Sequence, residues 1–228
     1  MIAGPNGSGK TTLFQYIESI ESFDWGFMQN PDFIEQDLRL SLRLDFANWG
    51  IATDSEELKA GLATRKNIGA GKWSVRDNVL VVKKGDVKGY FVAALCDFMR
   101  KKWVESRVSF TFETVMSHPS ELEELRLAKE AGFRTYLYFV TTADPRINQE
   151  RVASRVLMGG HDVDKEKIAE RYHRTMELLP AAVRLVNRAY LFDNSGDFYK
   201  YLGAFKDGNV VWRKNRNLPE WLKKSGLL

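Results

Sequence analysis

Apolar residues recur along the chain in two alternating rhythms, one helical and one extended. Leu13, Phe14, Ile17 and Ile20 form a single stripe at three-to-four-residue spacing, which predicts a helix over 10–21. Residues 25–28 read as a short strand closed by Asn30-Pro31-Asp32, and 33–49 as a helix with Leu38, Leu42, Leu44 and Phe46 among its apolar positions. A helix over 90–105 leads into a β-rich run, 108–112, that ends in Glu113. The next helix opens near Ser117 or His118, where Pro119 suits a first helical position and Gly132 suits the stop. RTYLYFV, residues 134–140, is a strand, and Asp144-Pro145 is a cap-then-proline start for a helix reaching about 157. Gly159 and Gly160 break that helix, and Asp164 begins another to about 179. Pro180 then restarts helix, and 189–192 give a last core strand. The stretch YLGAFKDGNVVWRK reads as a C-terminal hairpin turning at Asp207-Gly208.

Residues from about 50 to 89 break the rhythm. There WSVRDNVLVVKKGDVKGY reads as two strands around a Lys-Lys-Gly-Asp turn, a β-hairpin-like insertion in an otherwise single domain, 1–228. Composition adds little to this: 44% hydrophobic and 28% charged residues are ordinary for a globular chain. A formal charge of +4 is mild, so a mixed solvated surface is expected and nucleic acid is not an expected partner, while a locally basic cleft would serve a phosphate-rich ligand. The single cysteine, Cys96 in FVAALC, rules out an internal disulfide and reads as a packing residue in a reducing compartment. No apolar stretch is long enough to span a membrane, and the start shows no secretory pattern, so a cytoplasmic protein without a membrane partner is expected.

Chemistry first enters at residues 4–12, GPNGSGKTT. Gly4, Gly9, Lys10 and Thr11 satisfy G-x-x-x-x-G-K-[ST], with Pro5, Asn6, Gly7 and Ser8 filling the loop and Thr12 following it. Glycines let successive amides turn toward phosphate oxygens, and the following helix adds the positive end of its dipole. Lys10 can reach the β- and γ-phosphates, and the Thr11 hydroxyl can hold Mg²⁺. With the strand–helix alternation, this predicts an α/β P-loop NTPase fold, a mainly parallel sheet with helices on both faces. Only Met1, Ile2 and Ala3 precede the loop, so the first strand is expected to be very short, or the chain to start late relative to its relatives.

A transporter-type ATPase signature is missing, since LMGGH at 157–161 is a poor imitation, and so is the NKxD of a guanine switch. A kinase needs an acceptor-side carboxylate and mobile arginines. Asp32 stands at the carboxyl edge of the sheet, where it can take a proton from an acceptor hydroxyl or simply cap the following helix. Glu113, with Thr114 beside it, closes an apolar strand at the same edge and suits acceptor binding or metal support. Arg151 and Arg155 share a helix face, and Arg171 and Arg174 lie one helix later, around a Gly-Gly hinge that would make a lid. His161 follows that hinge and can position the lid or serve a structural hydrogen bond. Three histidines and one cysteine give a zinc site little support.

GPNGSGKTT, NPD, FETV, RVASRVLMGGHDV, ERYHR and LFDNSG, in that order, resemble the zeta-toxin family of P-loop kinases, in particular the branch labelled predicted ABC-type ATPase. The resemblance covers most of the chain outside 50–89 and the C-terminal hairpin. It implies a kinase that uses ATP or GTP and Mg²⁺ to phosphorylate a small acceptor, UDP-N-acetylglucosamine in the best-known members, and that is held inactive by an antitoxin protein. It implies Lys10 and Thr11 as phosphate and metal residues, Asp32 as base, Glu113 as acceptor-binding residue and Arg155 and Arg171 as arginines on the transferred phosphate. Asp193 and Asn194 fall where such kinases shape the base pocket. Where the best-known members carry a threonine two positions after the glutamate, this chain has Val115, with Thr114 adjacent as a substrate-binding candidate. A kinase for another acceptor (a nucleic-acid end, an antibiotic, a metabolite) and a non-catalytic nucleotide-binding module remain the alternatives.

Overall fold

The computed structural model describes residues 1–20, 23–63, 73–160, 162–214 and 217–227. The chain divides into two compact units, one of Met1–Asp24 with Glu113–Leu228 and the other of Trp25–Phe112. The first unit opens with β1 (Ile2–Ala3) and α1 (Lys10–Ile20). In the second lie β2 (Phe27–Gln29), α2 (Pro31–Ser41), β3 (Arg43–Asp45), a 3-10 turn (Phe46–Trp49), α3 (Ser55–Leu62), β4 (Trp73–Arg76), β5 (Val79–Val82) and α4 (Gly89–Glu105). Strand β6 (Phe110–Thr114) is divided between the units. The first unit then continues with α5 (Ser120–Glu130), β7 (Tyr136–Thr141), α6 (Pro145–Leu157), α7 (Lys165–Leu185), β8 (Arg188–Asp193), β9 (Lys200–Lys206), β10 (Asn209–Arg213) and α8 (Glu220–Lys224).

In the first unit, β1 lies parallel between Glu113–Thr114 of β6 and Tyr138–Phe139 of β7, and β8 continues the parallel order beside β7. Strands β9 and β10 then add antiparallel. In the second unit β2 pairs in parallel with Phe110–Phe112. The architecture is therefore the expected α/β one with a mainly parallel sheet. Ile2 and Ala3 are buried, as a parallel strand covered on both faces requires. Leu13, Phe14 and Ile17 bury the predicted stripe of α1, whereas Ile20, the fourth member, is exposed.

Helix α2 stops well before the end expected for it. Leu42 adopts a left-handed conformation, φ 58°, and its N–H returns to the Leu38 carbonyl, so the chain leaves the helix axis there. Leu44 and Phe46 then bury at a spacing of two, not four, with Leu44 opposite Leu80 in a three-stranded antiparallel sheet ordered β3-β5-β4. The hairpin turns at Asp77-Asn78, both at positive φ as a two-residue hairpin turn demands, and Lys83–Asp86 lies beyond its second strand. Asn78 is fixed further by donating to the Ile51 carbonyl and accepting from the Thr53 amide. Pro180 does not restart a helix: it sits inside the unbroken α7. The missing N–H removes one bond to the preceding turn, near the helix end, and the helix runs on.

The second unit is organised on α4 and a set of rings. Trp103 is fully buried, stacks on Phe27 at 5.6 Å, and donates its indole N–H to the Trp49 carbonyl at 2.7 Å. Cys96 is buried in the same core, as a packing residue. Among the described residues no helix is long and apolar enough to cross a membrane.

Candidate functional site

The loop after β1 starts with a bond from the Gly4 amide to the Thr114 carbonyl (3.3 Å), so it leaves the sheet exactly where β6 ends its ladder. Only glycine fits there: φ is 151°, and a Cβ would lie 1.9 Å from the Val140 carbonyl oxygen. The first bond of α1 runs from Leu13 N–H to the Gly9 carbonyl (2.9 Å), so the amides ahead of it form the open, positive end of the helix.

Side chains distant in sequence hold the loop's carbonyls. Asn148 Nδ2 of α6 donates to Asn6 O (2.6 Å), Asn194 Nδ2 to Ser8 O (2.8 Å) and the Tyr199 hydroxyl to Gly9 O (2.8 Å). Lys10 Nζ donates to the carbonyls of Gly4 (2.9 Å) and Pro5 (3.1 Å). A planar trans peptide aims its N–H opposite to its C=O, so a carbonyl tied down on the outside turns the next amide into the loop. Burial raises the Tyr199 phenol above its ordinary pKa, which keeps it a proton donor to Gly9. Gly9 is the point on which these clamps close, since a Cβ there would meet Asn194 Nδ2 at 2.5 Å and the Tyr199 hydroxyl at 2.7 Å. Ser8 Oγ is fully buried and has no hydrogen-bond partner among the described residues, which suits a loop built for a phosphate oxygen.

Thr11 donates its hydroxyl to Glu113 Oε2 at 2.9 Å, and Glu113 is buried. The parallel register, Ile2 opposite Glu113, brings the carboxylate beside the loop. Thr11 and Glu113 offer a hydroxyl and a carboxylate side by side, a pair suited to a cation that keeps most of its water, as Mg²⁺ does. Thr114, by contrast, is committed to local structure: its hydroxyl donates to Glu121 (2.5 Å) and accepts from the Met116 amide (3.0 Å).

Arg155 is half-buried on the α6 stripe that carries Asn148 and Val152, both of which lie against the loop at Gly7. Arg171 is half-buried on α7. Its neighbour Tyr172 donates to the Thr142 carbonyl (2.7 Å) and Thr175 donates to the Val115 carbonyl (2.8 Å), fixing that turn of α7 across the ends of β7 and β6. Arg151 makes a long contact to the Gly196 carbonyl (3.5 Å), and Arg174 pairs with Glu170. His161 lies outside the described residues.

Asp193 and Asn194 have structural partners. Asp193 is buried and accepts from the Trp221 indole N–H (2.8 Å) and the Ser195 amide (3.1 Å), while Asn194 clamps the loop. In the second unit, Asn30 caps α2 by accepting from the Asp32 amide (2.9 Å). The Asp32 carboxylate is exposed and, among the described residues, makes no hydrogen bond or ion pair, so the capping role belongs to Asn30. The first unit thus brings together Lys10, Thr11 and Glu113 and adds Asn148 and Tyr199, which sequence patterns did not single out. LFDNSG flags Asn194, as a base-pocket residue and not as a clamp on the loop.

No family model matches the chain. An uncharacterized protein of Haemophilus influenzae is 29% identical over 69 residues, 30% of this chain and 49% of that protein. Crystal structures of the AvrRxo1-ORF1:AvrRxo1-ORF2 complex, one with ATP and one with sulphate ions, match at a TM-score of 0.54 and 13% identity, over 92% of this chain and 59% of theirs. A structure from the PezAT chromosomal toxin-antitoxin system of Streptococcus pneumoniae aligns at a TM-score of 0.49 and 14% identity, over 96% of this chain and 75% of that one. The chain spans about half the length of the Haemophilus protein and less than two thirds of the AvrRxo1 chain. At these identities the AvrRxo1 likeness establishes a shared fold.

Proposed function

We propose that the chain is a zeta-toxin-like P-loop kinase that transfers the γ-phosphate of ATP or GTP to a hydroxyl of a small acceptor. The observation that carries this reading is the Thr11–Glu113 bond beside a loop whose Asn6, Ser8 and Gly9 carbonyls are held by side chains from outside it. That arrangement suits a triphosphate with its metal rather than a lone anion. Gly4, Pro5, Asn6, Gly7, Ser8, Gly9 and Thr12 supply the cradle, and Lys10 leaves its loop carbonyls for the β- and γ-phosphates. Thr11 would hold Mg²⁺ directly and Glu113 through its water shell; when bound, the ion neutralises charge on the phosphates. Arg155 and Arg171 offset the charge of the transferring phosphoryl group. As the acceptor oxygen bonds to the γ-phosphorus, the bond to the β-phosphate oxygen breaks and Asp32 receives the hydroxyl proton.

A structure of the same fold solved with ATP supports ATP as donor, and its being a two-protein complex supports a protein partner, an antitoxin in the family the sequence resembles. A cytoplasmic site of action accords with that donor. The resemblance implies UDP-N-acetylglucosamine as acceptor. A different acceptor is the second reading, and two facts speak for it: Val115 stands where the threonine would be, and the Thr114 hydroxyl is engaged by Glu121. Purified protein with ATP or GTP, Mg²⁺ and a panel of nucleotide sugars should yield a phosphorylated sugar nucleotide. Nucleotide hydrolysis with no such product dismisses that acceptor class. Asp32→Asn should abolish transfer and spare nucleotide binding; transfer that survives it rules out Asp32 as the base.

A further inference from the structure

We infer that the outer edge of β10 is a docking site for an extended acidic segment of a partner protein, which adds to the sheet as a further strand. Among the described strands β10 pairs with β9 alone, so half of its backbone N–H and C=O groups face outward. All five residues are exposed, and Val210, Val211 and Trp212 are 42%, 53% and 47% exposed. An apolar strand edge left open is a template for pairing.

A row of rings points to the same edge. Phe192 on β8 lies 5.3 Å from Tyr201 on β9, and Tyr201 stacks on Trp212 of β10 at 4.7 Å with the planes 2° apart. One face of the Trp212 ring covers Tyr201, and no ring among the described residues meets the other face. A strand added to β10 sets a side chain opposite Trp212 and extends the stack. Single-stranded nucleic acid fits less well, because Tyr201 and Trp212 are already stacked on each other, which leaves a base little beyond the open face of Trp212.

Charge selects the partner. Arg213 on β10 is exposed, as are Lys206, opposite Asn209 beside the turn, and Lys200 at the other end of β9, against Asp197 and Asp207. Two copies paired edge to edge would set these cations against their own kind, while an acidic strand would neutralise them. The bulge between Val210 and Trp212 further discourages indiscriminate pairing.

The test uses the whole chain with a short peptide in which Glu alternates with Val and Tyr, its counterpart with Lys for Glu, and an oligothymidylate. The acidic peptide should bind and slow hydrogen exchange at amides of 209–213. Arg213→Glu should weaken that binding about tenfold, and Trp212→Ala should also weaken it, with the melting temperature unchanged in both variants. Absence of protection at β10, equal binding of the Lys peptide, or protection by the oligothymidylate instead would overturn the inference. So would a dimer of the chain alone that Arg213→Glu alters, seen by sedimentation.

Discussion

The phosphate loop and the ring cluster of the second unit are both ordered, but by opposite means. The loop is held by single directional bonds from Asn148, Asn194 and Tyr199, each to one carbonyl. The cluster is held by burial: Trp103 lies among Phe27, Trp49 and Phe110, with one hydrogen bond for its indole. The contrast teaches where substitutions should act. Changes at the loop should cost ligand binding with little stability, and changes in the cluster should cost stability first.

The largest expected effect is on the burial side. Trp103→Ala should destabilise the protein by about 3–5 kcal/mol, read by chemical denaturation, with faster hydrogen exchange through the second unit. A loss below about 1 kcal/mol would show that the rings do not carry that unit. Next comes Gly4→Ala, which sets a Cβ against the Val140 carbonyl and should weaken ATP binding about a hundredfold or more by calorimetry. Unchanged affinity there would mean the loop adopts another path. Tyr199→Phe and Asn194→Ala each remove one neutral hydrogen bond and should weaken ATP binding about fivefold, with melting temperatures close to the parent. If either variant unfolds while its residual folded fraction binds normally, the contrast between loop and cluster fails.

The smallest expected effect is a pH dependence at Asp144, which caps α6 and is paired by Arg146. The Arg146 side chain and then its amide hold this carboxyl down at about 2, against an ordinary value of 3.8. Because the folded value is depressed, the contribution is complete above the ordinary value and disappears as pH falls through about 2. Helical ellipticity should show a slight loss in that window, absent from Asp144→Asn. Arg146 is largely exposed and Asp144 partly so, and solvent screens the pair, so the change is small.

What the sequence made legible was local chemistry. GPNGSGKTT is contiguous, so the cradle and the helix after it could be read directly. Asp144-Pro145 and Asp207-Gly208 also act within a few residues, and both fall where expected. What depended on distant partners was not legible. Glu113 could be recognised as a carboxylate closing a strand, but its bond to Thr11 joins positions 102 residues apart. Asn148 and Tyr199 look like any polar residue until the fold sets them on loop carbonyls. The misread segment 33–49 has apolar residues that satisfy both periods, and only the left-handed turn at Leu42 decides between them. At the hairpin, the glycine in Lys-Lys-Gly-Asp looked like the stronger turn signal, yet Asp77-Asn78 sits between the two alternating runs and takes it.

Transfer of phosphate to an acceptor is the central claim, and it can be measured without knowing the acceptor. The protein would be incubated with γ-labelled ATP, Mg²⁺ and the small-molecule fraction of a cell extract, and the products separated and identified by mass. The label is predicted to appear in a hydroxyl-bearing metabolite as a phosphate ester, and to vanish from it with Asp32→Asn while ATP binding persists. Label found only in inorganic phosphate, or remaining wholly in ATP, would contradict the kinase account.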